Sequence, residues 1–200
     1  MRLIIDGQEQ DGLRKYGSGE LEQEIASLHK AGRYVQSVTC NGQEANLDDL
    51  LQGRLNLAAE AQVEVVTCTL DELIENTMDS AHDYLPRLYS VWQEIIHFWR
   101  TGEWEEGAER FATTIAGLQW NLAVLTDIKA LGPDDSEIAL INRQGQAIVA
   151  QLLSAWEKED FIQLADILEY EALPWLDQWF GFADLFRQQM KLEHIKAKLN

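Results

Sequence analysis

The chain has 200 residues, 46% hydrophobic and 25% charged, with a net charge of −18. That length suggests one or two domains, and the apolar share, with seven Trp, six Phe and five Tyr, excludes a disordered chain. Three Pro and thirteen Gly exclude collagen-like and low-complexity readings, and the negative charge repels phosphate backbones and anionic lipid, so neither nucleic acid nor a membrane is an expected partner.

At the N-terminus, MRLIIDGQEQ has too short an apolar run for a signal peptide. Arg2–Asp6 is a predicted strand, and Asp6-Gly7 is a hairpin signal that returns Gln8–Gln10 as a second strand. Gly12–Gly19 (GLRKYGSG) is Gly-rich but lacks a Lys-Ser/Thr continuation, and reads as a loop rather than a phosphate cradle. Ser18–Ala31 places Leu21, Ile25 and Leu28 at helical spacing, with Ser18 as N-cap and Gly32 as the stop. Tyr34–Cys40 is β-rich and ends at a second hairpin signal, Asn41-Gly42. Asn46 caps a short helix at Leu47–Leu51, and Val63–Cys68 is the last strand. IIDGQEQ and VTCNGQEA echo one another and read as two similar hairpins.

This order of elements resembles a β-grasp (ubiquitin-like) module over residues 1–68. Such modules can act in conjugation or sulfur transfer through a free terminal Gly-Gly. Here the chain runs on past Cys68, so the resemblance implies a docking or interaction element. Cys40 and Cys68 both follow Val-Thr at strand ends. They read as small buried thiols, too few for a disulfide scaffold or a Cys-rich zinc site and without the Cys-x-x-Cys spacing of a redox pair.

From residue 69 to 200 the pattern is helical. Thr69-Leu-Asp-Glu72 has capping-box form. A stripe through Leu73, Ile74, Met78, Ala81, Tyr84, Leu85, Leu88, Val91, Trp92, Ile95 and Trp99 holds its register across Pro86, which predicts one long helix kinked at the proline. Thr101-Gly102 breaks it. A second helix, about Glu103–Ala130, carries Trp104, Ala108, Phe111, Ile115, Leu118, Leu122 and Leu125, the spacing of antiparallel packing. Leu131-Gly132-Pro133 ends it, and Asp134 with Glu137 offers another capping box. The third helix carries Ile138, Ile141, Ile148, Leu152, Ala155 and Trp156, with Gly145 on its stripe for close helix approach. The fourth follows Glu157-Lys158, and its register also continues through a proline, Pro174. Trp99, Trp104, Ala108 and Phe111 match Trp156, Phe161, Ala165 and Leu168 at a constant offset, as two helical hairpins with a Trp at each bend would. The expected architecture is α+β: a small β-grasp-like domain followed by an antiparallel four-helix bundle.

Chemistry-bearing residues are sparse. Glu94-Ile-Ile-His97 is a helical Glu-x-x-His string, but it falls opposite the apolar stripe and has no second copy. Asp79-Ser-Ala-His82 is a poorer match, and His29 and His194 are scattered. Glu103, Glu105, Glu106 and Glu109 suit a helix N-terminus, and Glu169 and Glu171 lie on the fourth helix. No nucleophile motif or P-loop is found, so neither catalytic residue, cofactor nor metal is assigned.

Residues 69–186 hold 22 acidic and six basic side chains, whereas residues 187–200 hold one and four. A basic tail complements a helix C-terminus, and the acidic body suits a basic partner. The aromatic run 173–186 is the most unusual feature. Trp175, Trp179, Phe182 and Phe186 share one arc, with Leu173 and Phe180 outside it. These six are the candidate partner-binding residues, on a groove that receives a partner helix. EIALINRQGQAIVAQLLSAWEKEDFIQLADILEYEALPWLDQW is similar in organisation to the secretion chaperones that hold bacterial flagellin: a helix, a bend near a Trp, then a charged helix. That family lacks the small N-terminal domain. The resemblance implies a cytoplasmic, non-enzymatic adaptor or chaperone-like protein. A homodimeric scaffold using the same face is the alternative, and a metal or small-ligand enzyme at Glu94/His97 is a third reading.

Overall fold

The structure is a computed structural model that describes residues 2–10, 18–55, 61–131 and 136–199. Contacts divide the chain into two units, Met1–Ile74 and Glu75–Asn200.

In the first unit the strands are β1 (Arg2–Ile5), β2 (Gln8–Glu9), β3 (Tyr34–Cys40), β4 (Gln43–Glu44) and β5 (Gln62–Cys68). The helices are α1 (Ser18–Lys30), between β2 and β3, and α2 (Leu47–Leu51), between β4 and β5. The element order is the one the sequence predicts. The sheet order is β2-β1-β5-β3-β4, with β1 parallel to β5 and the other pairings antiparallel. Both hairpins turn on consecutive positive φ angles, 50° and 76° at Asp6-Gly7, 51° and 78° at Asn41-Gly42. That is the geometry whose twist matches the flanking strands, and Asp, Asn and Gly tolerate it best. The echoed Gln-Glu pairs become the two edge strands. At two residues each, they offer little edge to a passing chain.

Period-2 alternation turns Leu3, Ile5, Val63 and Val65 to one face, where Val38, Leu21, Ile25 and Leu50 meet them in the core. Each such burial stabilises by roughly 1.5–3 kcal/mol before ordering entropy is counted. A polar clasp ties the first turn to the end of β5. Thr67 donates its N–H and its hydroxyl to the Asp6 carboxylate (2.7 and 2.6 Å), and Arg33 donates to the Thr67 hydroxyl and carbonyl (2.9 and 2.8 Å). The Asn46 side chain caps α2 by accepting from the Asp48 and Asp49 N–H groups. The Ser18 side chain and most of the Gly12–Gly19 stretch lie outside the described residues.

The next helix, α3 (Leu70–Thr101), opens on the predicted capping box. Thr69 donates its N–H to Glu72 Oε2 at 2.8 Å, and the Glu72 N–H donates to the Thr69 hydroxyl at 3.3 Å. α3 runs unbroken through Pro86. The helices that follow are α4 (Trp104–Leu131), α5 (Ser136–Trp156), α6 (Phe161–Ile167) and α7 (Leu173–Leu199), with a π-helical segment, Leu168–Ala172, between the last two. Gly132, Pro133 and Asp134, which carry the predicted stop and cap, lie outside the described residues.

From α3 onward the described residues therefore hold six helical elements, not the four helices expected, because the fourth is divided by the π segment. The sequence contains the reason. Buried Leu164, Leu168, Ala172 and Leu176 recur every four residues, a longer period than the ~3.6 of an α-helix. One wide turn absorbs the surplus residue. Pro174 favours that turn, because it has no N–H to donate and clashes with the carbonyl four residues back in α geometry.

Side-chain contacts fix the helix directions. Trp99 meets Phe111, Trp92 donates to Thr114, and Tyr84 meets Trp120, so α3 and α4 are antiparallel. Phe111 meets Trp156 and the Asn142 amide donates to Thr126, so α4 and α5 are antiparallel. Gly145 sits at a close approach, where a Cβ would lie 2.6 Å from Trp175 Cζ2 and 2.8 Å from Leu122 Cδ2.

Candidate functional site

The aromatic run is largely interior. Trp179 is fully buried, Trp175 and Leu173 nearly so. Each indole N–H has an acceptor: Trp179 donates to Asn121 Oδ1 and Trp175 to the Ile141 carbonyl, both at 2.9 Å. The expectation that Leu173 lies outside the core arc is corrected, and the π segment is the cause. A one-residue phase shift turns a helix by about 100°, enough to carry Leu173 inward. Leu173, Trp175 and Trp179 therefore pack within the helical unit, with an edge of Trp175 lining a surface pocket beside Pro174 and Gln178.

The other three candidates are half-buried. Phe180 stacks on His82 of α3 at 4.7 Å between ring centroids. Phe182 stacks on Trp179. Phe182 and Phe186 line a cavity of about 170 Å³ with Ile128, Ile138 and Leu185. Beside Phe180, His82 joins an α3–α7 polar cluster in which Arg187 contacts both the His82 Nδ1 and Asp79, and Asp184 lies 3.5 Å from the His82 Nε2.

A different surface is open. On α4 the expected apolar stripe includes Trp104 and Ile115, yet both are exposed. Thr114, next to Ile115, and Asn121, next to Leu122, face the core instead and accept the indole protons of Trp92 and Trp179. A buried indole N–H is favoured by an acceptor, so two polar residues turn inward and Ile115 is left toward solvent, while Phe111, Leu118 and Leu125 stay buried. The result is a groove of about 550 Å³ between α4 and α5, lined by Phe111, Ile115, Leu118, Leu152, Leu153 and Trp156, with Gln119 as its polar member. Leu153 is 57% exposed, Trp156 38% and Ile115 37%. Residues 111–126 and 144–156 contain no charged side chain. In a chain this acidic, that signal was available in the sequence and was missed.

At one end of this face the two bends converge. Trp99, Trp104, Phe111, Trp156 and Phe161 form a ring cluster with centroid distances of 5.4–6.5 Å. All five belong to the pairs of positions that echo each other in sequence. Among the described residues, Trp99 Nε1 finds no acceptor there.

The chemically suggestive residues stay apart. Glu94 and His97 are exposed, and Glu94 pairs with Arg110. Glu169 pairs with Arg100, and Glu171 accepts from Gln151. The His194 side chain lies outside the described residues. Among the described residues no three His, Cys, Asp or Glu side chains gather as metal ligands. Cys40 pairs in register with Val63, and Cys68 with Tyr34. The thiols thus sit five positions apart along β5, roughly 17 Å, well beyond disulfide reach. Burial pushes both thiols up from their ordinary pKa, which favours the unreactive protonated form.

Among the described residues, no helix is long and apolar enough to cross a membrane. Comparison with curated proteins gives no match, and neither does comparison with solved structures. One protein family matches residues 76–181, from the early turns of α3 into α7, which includes the whole α4/α5 groove and leaves out the sheet. The chain belongs to that family, described as Domain of unknown function (DUF8042).

Proposed function

We propose that this chain is a cytoplasmic, non-catalytic protein-binding molecule of adaptor or chaperone-like type, and that it binds through the α4/α5 face. On this reading the first unit is a β-grasp module, which the parallel β1–β5 pair at the centre of its sheet supports. The α6–π–α7 run counts as one rod, making the remainder an antiparallel four-helix bundle. The observation that carries the proposal is the groove itself. Exposed Ile115, Leu153 and Trp156 line a concave, uncharged surface that suits the apolar face of a helix from a protein partner. The basic character that composition suggests for a partner draws no support from this lining.

The test is capture from a lysate of the source cell by wild type and by the Ile115→Glu, Leu153→Glu double variant. Loss of a specific captured protein, with unchanged circular dichroism, supports the reading. An identical set of captured proteins ends it. The homodimeric scaffold is the second reading, because the same face serves self-association. The enzyme reading at Glu94 and His97 gains no support, since Glu94 is engaged by Arg110.

A further inference from the structure

We infer that the hollow beside Trp104, where the two helical bends meet, receives an arginine-bearing segment of a protein partner. It shares no lining residue with the α4/α5 groove, so the two surfaces stand or fall separately.

The aromatic wall is the first argument. Trp104 is the first residue of α4 and Phe161 the first of α6, so the α3–α4 and α5–α6 bends bring these rings together. They stack at 5.8 Å between centroids with planes 22° apart, and Trp104 is still 40% exposed. With Ile162, 60% exposed, they wall an open hollow of about 410 Å³. Its other lining residues are Lys158, Glu159 and Asp160. The face of an aromatic ring attracts a cation, and tryptophan does so most strongly.

Charge is the second argument. Residues 103–106 and 157–160 hold six acidic side chains and one basic, all exposed. Glu103 accepts from the Thr101 hydroxyl and Asp160 from the Gln163 N–H. Among the described residues none of the seven forms an ion pair. The opposing positive charge is small. The N-termini of α4 and α6 supply roughly half a unit each, and Lys158 one more. The nearest arginines are already engaged, Arg100 by Asp166 and Glu169, and Arg110 by Glu94. A cation from outside the chain completes this field.

The kind of cation is the third argument. A guanidinium is planar and weakly hydrated, so it stacks on an indole while its N–H groups reach carboxylates at the rim. The chain's own Lys158 ends in a compact ammonium that lacks this plane. Exposed Ile162 seats the apolar part of a neighbouring residue, which a peptide has and a free small cation lacks. The basic partner that composition suggests thus has a surface of its own, apart from the uncharged groove.

The experiment is titration calorimetry on the full chain at about 150 mM salt, where exposed charges more than about 8 Å apart are largely screened. The probes are acetylated, amidated tetra-arginine, tetra-lysine and tetra-citrulline. Tetra-arginine is expected to bind, tetra-lysine to bind more weakly, and the neutral tetra-citrulline not to bind. Trp104→Leu should weaken tetra-arginine about three- to fivefold. Glu159→Gly should weaken it about twofold, and the bend survives, because Glu159 holds a φ of 52° that glycine adopts freely. Asp127→Asn removes the same charge near the far end of α4 and should leave the affinity unchanged. No binding of tetra-arginine overturns the inference, as does equal binding of tetra-citrulline or of tetra-lysine. Equal losses in Asp127→Asn and Glu159→Gly overturn it too, since the attraction then belongs to the acidic body at large. If Trp104→Leu alters the circular dichroism spectrum, the comparison of Glu159→Gly with Asp127→Asn decides.

Discussion

The two units use apolar surface differently. In the described part of the first, Val66 is the single large hydrophobic side chain with substantial exposure. Its core is fixed by backbone devices: positive-φ turns, in-register strands and the clasp of Asp6, Thr67 and Arg33. The helical unit is fixed by large side chains whose polar atoms reach specific acceptors, and it still leaves Trp104, Ile115, Trp120, Leu153 and Trp156 on its surface. The described residues of the first unit thus offer little apolar surface for an interface. On the proposed reading, docking belongs to the helices rather than to the β-rich module.

Substitutions can break this comparison, and the largest effect is expected inside the helical unit. Trp179→Ala removes a fully buried ring and leaves Asn121 Oδ1 without its donor, so unfolding free energy should fall by about 3–5 kcal/mol in denaturant titration. A loss below about 1 kcal/mol would show that the indole acceptors do not organise this core. Gly145→Ala should cost about 1–3 kcal/mol, because the added methyl collides with Trp175 and Leu122. Thr69→Ala removes one half of the capping box, with an expected loss of about 1 kcal/mol in calorimetry.

The smallest effect sharpens the other side of the comparison. Hydrogen bonds from the Thr67 hydroxyl and backbone N–H, with Arg33 nearby, hold the Asp6 carboxyl below the usual carboxylate range. A carboxylate with a lowered native pKa contributes stability that is fully present above its unfolded pKa. That contribution is lost as pH falls through the native value. Asp6→Asn should therefore lower stability slightly at neutral pH and flatten the acid limb of the stability profile. Equal acid sensitivity in wild type and variant would remove Asp6 from the account.

Much of the fold was legible because its signals are local. A period of two turned to 3.6 at residue 69, Xaa-Gly pairs marked both hairpins, and Thr69 with Glu72 announced α3. Gly145 on an apolar stripe gave a close approach before any contact was known. The π segment was not legible as such, since one surplus residue per turn changes no composition, and so the placement of Leu173 failed. The identity of the α4 core positions failed for another reason. Periodicity counts apolar residues, and it cannot see that Thr114 and Asn121 are drawn inward to serve indoles brought by α3 and α7. That exchange is what releases Ile115 to the surface, so the groove follows from a tertiary demand that no single helix contains.

The ring cluster at the two bends has a consequence for how the helical unit opens. Trp99 and Trp104 flank one chain reversal, Trp156 and Phe161 the other, and Phe161 touches all three tryptophans. Fraying at either reversal strips contacts from both. The two hairpins are therefore one cooperative unit at this end, and amides around residues 102–104 and 157–161 should exchange with a shared opening free energy rather than two independent ones.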